Sequence, residues 1–160
     1  FVNGTLVHFT GSHLNKLNTT FDNNYIGCIV SSTGLFTNKP QINKSLPIVE
    51  LCPTQQSPKV YGVISNNYDS EQIIINAVGE GAIWVVNTNG NLENGDYIQS
   101  SNISGYGEKQ TSNILYNYTV AKIVQDCSFN LNTNLYDCVE FSYNGSIYKK
   151  AFVGCTYHCG

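Results

Sequence analysis

Three histidines, six cysteines and eleven carboxylates carry whatever acid–base, nucleophilic or metal chemistry this 160-residue chain can perform. Near the start, Ser12-His13 is the only place where a serine or threonine adjoins an imidazole, and Thr10 lies two residues before it. A hydroxyl that attacks a carbonyl needs a base and oxyanion support, so Ser12 or Thr10 with His13 is the one nucleophile–base combination available. Neighbours in an extended chain point to opposite faces, which makes hydrogen-bonded surface or interface residues the default reading of all three. Glu80, in a glycine-rich bend, and Asp96, after Asn94-Gly95, read as turn or cap groups. Trp84, between Ile83 and Val85, reads as a core aromatic. No G-x-G-x-x-G, Walker lysine or G-x-S-x-G elbow is present. No cofactor is implied.

The cysteines Cys28, Cys52, Cys127, Cys138, Cys155 and Cys159 are even in number but sparse. One to three disulfides, with the pairing open, or buried thiols acting as small apolar groups both fit. Cys155, His158 and Cys159 are close enough in sequence to share a metal with one further ligand, but no C-x2-C pair exists and no metal site is assigned. A bridge within the tail 154–160 would tie down a terminus that otherwise frays.

The elements that must position these groups are strands. No stretch of a dozen residues keeps a 3.6-residue apolar period. Short runs rich in Val, Ile, Tyr and Phe recur instead between Asn, Gly, Ser and Pro clusters. They predict strands at 5–9, 25–30, 46–52, 59–65, 72–77, 81–87, 96–100, 118–126, 138–143 and 146–153. Asn144-Gly145 accepts the positive φ values of a type I′ turn and joins the last two as a hairpin. Along that hairpin Val139, Phe141 and Tyr143, then Ile147, Ala151 and Val153, alternate with more polar positions. This suits a sheet covered on one side. The polar stretch 10–24 reads as a loop. The expectation is an all-β protein: one compact antiparallel domain with long loops, residues 1–24 leading into a β core over 25–160.

Composition narrows the partners. With eight Lys, no Arg and a net charge of -3, the chain lacks the clustered basic face and Arg forks of nucleic-acid binding. No apolar run approaches the roughly 20 residues of a membrane span, and no signal-peptide pattern occurs. The absence of Met, even at position 1, predicts that the chain does not begin where translation began. Asn occurs 21 times, and six N-x-S/T sequons (Asn3, Asn18, Asn43, Asn102, Asn117, Asn144) follow largely from that abundance. The Asn excess beside zero Arg points to an AT-rich coding sequence.

Four stretches together resemble a known family: Phe9-Thr10-Gly11-Ser12-His13, the long run 76–110, Asn117-Tyr-Thr-Val-Ala-Lys122 and the terminal 151–160. They are similar to the intramolecular-chaperone autoprocessing domain that closes phage pre-neck appendage proteins and many fibre-like proteins of giant viruses. The resemblance implies a mostly β, virion-associated domain at the end of a viral fibre that assembles as a homotrimer. It implies that the domain sets the register of a fibre segment upstream in the same polypeptide and, in phage members, cuts itself free as a glutamic-type peptidase. A trimer seed has a physical logic: bringing three chain ends together costs association entropy once, after which the fibre winds at high effective concentration. Phage members carry an acidic motif near the start of the domain. Here the first carboxylate is Asp22, so no acidic catalytic residue carries over, and self-cleavage would fall to Ser12 or Thr10 with His13. The alternative is a non-enzymatic structural or host-attachment module retained on the virion surface.

Overall fold

The computed structural model describes residues 12–40 and 45–159. Within them run eleven strands: β1 Ser12–Leu17, β2 Ile29–Phe36, β3 Pro47–Leu51, β4 Val60–Asn67, β5 Gln72–Asn76, β6 Val78–Val86, β7 Tyr97–Ser100, β8 Gly107–Lys109, β9 Thr119–Ile123, β10 Asp137–Tyr143 and β11 Ser146–His158. Two short 3-10 turns, Asn23–Tyr25 and Asn87–Asn89, are the helical elements among the described residues.

The first five strands close into a barrel in the order β1-β3-β2-β4-β5, with β5 pairing back to β1. Side chains alternate across each strand, and Leu17, Val30, Val49, Ile64, Ile73 and Ile75 meet inside as one apolar cluster. Each such fully buried side chain contributes about 1.5–3 kcal/mol. The other six strands are ordered β10-β11-β6-β8-β7-β9, and β9 returns to β11 through Cys155↔Ile123 and Tyr157↔Ala121. That last pairing turns β11, β6, β8, β7 and β9 into a second ring, with β10 flanking it. Ile83, Val85, Ile98, Ile123, Val153 and Cys155 belong to the larger cluster at its centre.

Gly27 joins the two rings. Its N–H donates to the Ile64 carbonyl and its carbonyl accepts from Trp84 N–H at 2.9 Å. The residue sits at φ +87°, and a Cβ there would meet the Phe152 and Trp84 rings at 2.5 and 2.8 Å. Only glycine meets both demands. Trp84 is half-buried against Phe152, 5.2 Å between ring centroids, and thus seals the junction between the barrels.

The all-β expectation holds, and most predicted strands appear within two or three residues of their bounds. The first, 5–9, lies outside the described residues. Several local readings are corrected. Residues 12–17, read as loop, form β1 through pairing with β5 and β3; polar His13 and Asn15 at inward positions remove the apolar alternation that marks a strand. The antiparallel rule has two exceptions, β1–β3 and β6–β8. The Asn144-Gly145 turn forms, with φ 49° and 82°. Its register sets Val139 opposite Lys150 and Phe141 opposite Tyr148, so the single apolar face expected of the hairpin is divided between its two sides. Finally, β11 continues to His158 instead of stopping at Val153.

Candidate functional site

The predicted nucleophile–base region lies at the start of β1. Ser12 is the strand's first residue, in register with Asn76, and Thr10 lies outside the described residues. His13 and Asn15 stand in register with Ile75 and Ile73, whose side chains are fully buried. They therefore share the inward face of the first barrel. The Asn15 amide nitrogen is 2.9 Å from His13 Nδ1. An amide nitrogen only donates, so Nδ1 accepts and Nε2 carries the ring proton in this arrangement. The Tyr61 ring meets His13 edge-on at 5.1 Å. Burial pushes the His13 pKa below its ordinary 6.5 and that of the Tyr61 phenol upward. Asn15 is 0% exposed and its Oδ1 has no hydrogen-bond partner among the described residues. The structure thus gathers His13 with Asn15 and Tyr61, neither of which the sequence singles out. Position i+2 on a strand is the signal that could have found Asn15.

The cysteines are six free thiols, not disulfides. Residues 155–159 run nearly straight, separating Cys155 from Cys159 by about 13 Å. A bridge needs Cα atoms within about 7 Å. The terminus is held instead by strand pairing, with Cys159 N–H on the Ala77 carbonyl at 2.9 Å. Burial pushes the Cys28, Cys155 and Cys159 thiols to about 12, so none supplies a thiolate near neutral pH. Three residues apart on β11, Cys155 and His158 point to opposite faces. His158 packs edge-on to Tyr97, with Nε2 3.1 Å from Thr156 Oγ1. Among the described residues no three His, Cys, Asp or Glu side chains gather as metal ligands. Asp96 accepts from Glu93 N–H at 2.8 Å, as a turn group does, and Glu80 is exposed on β6.

A second site, which sequence reasoning missed, centres on Glu108 in β8. This carboxylate is 3% exposed. Thr88 Oγ1 donates to Oε1 at 2.7 Å, while Gln55 Nε2 and Gln99 Nε2 donate to Oε2 at 2.5 and 2.7 Å. Gln56 Nε2 in turn donates to Gln99 Oε1 at 3.0 Å. All the donors are neutral: neighbouring Lys109 turns away, its Nζ 3.7 Å from Asp96. Glu108 lines an open cleft of about 460 Å³ between the barrels, walled by Tyr143, Asn144 and Tyr148 of the β10–β11 hairpin and by Asn102. Its donors come from positions 55, 88 and 99, so nothing in the local pattern around Gly107-Glu108-Lys109 marks it.

The chain matches no protein-family model, no curated protein and no solved structure.

Proposed function

We propose that this chain is the intramolecular-chaperone domain of a viral fibre protein, assembling as a homotrimer and nucleating the fibre segment upstream of it. The observation that carries this reading is the segment between β9 and β10. Val124, Leu131 and Leu135 are exposed there, Leu135 at 73%, and Val139 is exposed on the adjoining strand β10. Apolar side chains concentrated on the surface of a charge-poor domain mark an interface. The outer edge of β10 pairs with no other described strand and is free to meet a second copy. Further support comes from where the resembling stretches fall. Residues 76–110 supply β6, β7 and β8, residues 117–122 most of β9, and 151–160 the far half of β11. Together these make the second ring.

Light scattering on a sizing column should give about three times 17.6 kDa. Leu135→Lys with Val139→Lys should yield a folded monomer. A parent chain that is monomeric at micromolar concentration refutes the reading. Release by self-cleavage belongs to the same proposal: the Ser12 or Thr10 hydroxyl attacks the scissile carbonyl and the amine of the next residue leaves, while His13, whose Nδ1 accepts from Asn15 and whose Nε2 carries the proton, serves as base only once that hydrogen bond opens. Expression with the natural sequence preceding residue 1 should then give two fragments, reduced to one by Ser12→Ala with Thr10→Ala; one band from the parent sinks the cleavage.

A further inference from the structure

The cleft over Glu108 has the makings of a ligand site that the trimer reading does not use. Its floor is a carboxylate whose two oxygens are pinned by three neutral donors, from Thr88, Gln55 and Gln99. A carboxylate held this way is a preorganised acceptor, fixed before any ligand arrives. Oε2 takes two of these bonds and Oε1 one, leaving lone-pair capacity on Oε1. The walls add two phenols, Tyr143 and Tyr148, whose hydroxyls make no hydrogen bond among the described residues and which are half-buried. They also add the carboxamides of Asn102 and Asn144. The Asn102 oxygen accepts from Gln55 N–H at 2.9 Å, which fixes the carboxamide and leaves both its N–H groups and one oxygen lone pair for a ligand. At about 460 Å³ the cleft falls in the small-molecule range of roughly 300–1,000 Å³.

Charge decides which ligand fits. Among the described residues no lysine lines the cleft, and the Glu108 carboxylate disfavours anions. A cation would find one carboxylate already surrounded by donors, with no second acid to share the load. A ligand bearing several neutral hydroxyls can both donate to Oε1 and accept from amide and phenol groups, and its C–H face can lie on a tyrosine ring. We infer that the cleft over Glu108 binds a neutral saccharide, with Glu108, Asn102 and the Tyr143 hydroxyl reading hydroxyls and Tyr148 supplying the stacking surface.

The test is saturation-transfer NMR followed by titration of the full chain with a panel of neutral mono- and disaccharides. A sialylated sugar and n-butylamine serve as the anionic and cationic comparisons. At least one neutral sugar should bind with Kd near ~1 mM or tighter. Tyr148→Ala and Glu108→Gln should each weaken it by about tenfold or more, on the scale of losing one partner of a ligand hydrogen bond or stacking contact. Tyr68→Ala, at an exposed tyrosine on the first barrel, should leave binding unchanged. If Glu108→Gln fails to fold, Tyr143→Ala takes its place. Absence of any neutral-sugar signal at millimolar concentration overturns the inference. So does preference for the sialylated sugar or the amine, or binding indifferent to Tyr148→Ala. The measurement is made on whatever oligomer the chain forms, so a sugar-binding monomer would sink the trimer reading and leave this one standing.

Discussion

Replacing Gly27 by alanine tests whether the two barrels are locked through one backbone position. Two costs arise. A side chain at φ +87° carries a left-handed penalty of about 1–2 kcal/mol. The added methyl would also sit 2.5 Å from Phe152 Cε1 and 2.8 Å from Trp84 Cδ1, and overpacking of this kind costs about 1–3 kcal/mol. Gly27→Ala should therefore destabilise by about 2–5 kcal/mol. Gly34→Ala is the matched control: it has φ +83° with nothing within 4 Å of the new carbon, so it carries the backbone cost alone. Urea unfolding followed by the fluorescence of Trp84, the only tryptophan, reports from the contact itself. The m value should be unchanged. Adding Phe152→Leu to Gly27→Ala should recover part of the loss in a double-mutant cycle, because the crowded ring is removed. Equal destabilisation by Gly27→Ala and Gly34→Ala would refute the packing argument, and no rescue by Phe152→Leu would show that Phe152 is not what crowds the methyl.

Two further outcomes follow from titratable groups. Because the folded pKa of His13 lies below 6.5, the unfolded chain takes up the proton first as pH falls. The stability tied to neutral His13 is complete above about 6.5 and declines as pH drops from there toward the folded value. Urea midpoints between pH 8 and 5 should show this fall in the parent and less of it in His13→Gln, and identical profiles would remove His13 as the cause. With six free thiols, three of them pushed to about 12 by burial, a thiol reagent at pH 8 should label all six in denaturant without reductant. Cys28, Cys155 and Cys159 should stay unlabelled in the native protein, and fewer than six reactive thiols on unfolding would reveal a disulfide.

What could be read from the sequence depended on whether the signal was local. The β10–β11 hairpin was legible because Asn144-Gly145 carries its turn geometry within two residues, and β5 because Ile73, Ile74 and Ile75 form a β-branched run. β1 was illegible because the bore of the first barrel accepts polar His13 and Asn15 at two of its inward positions, which erases the alternation. β8, three residues long, has no period to detect; it is held by pairing with β7 and by one bridge to β6. The register of the hairpin also escaped, since a two-residue turn sets odd positions of β10 against even positions of β11 and so mixes what looked like one apolar face. The Glu108 cleft lies beyond local reasoning altogether: its parts meet only after both rings have closed.

The same residues that hold Glu108 also fasten the barrels. Gln56 N–H donates to the Ser100 carbonyl at 3.2 Å and Ser57 N–H to Ser100 Oγ at 3.0 Å. The side chains of Gln55 and Gln56 meanwhile reach Glu108 and Gln99. Segment 55–57 of the first barrel thus grips β7 and β8 of the second through four hydrogen bonds, two of them side chain to side chain. An apolar seam would hold the rings together without desolvating a carboxylate, a step that costs several kcal/mol for an unpaired ion and here takes three donors to offset. Fastening alone therefore does not account for a buried charge at this point. A carboxylate that must stay fixed while facing an open cleft does account for it, because the bonds that join the barrels are then the bonds that aim the acceptor. Apolar replacement of Glu108 with Gln55 and Gln99 should accordingly leave the fold near its original stability while removing whatever the cleft binds, separating the two roles.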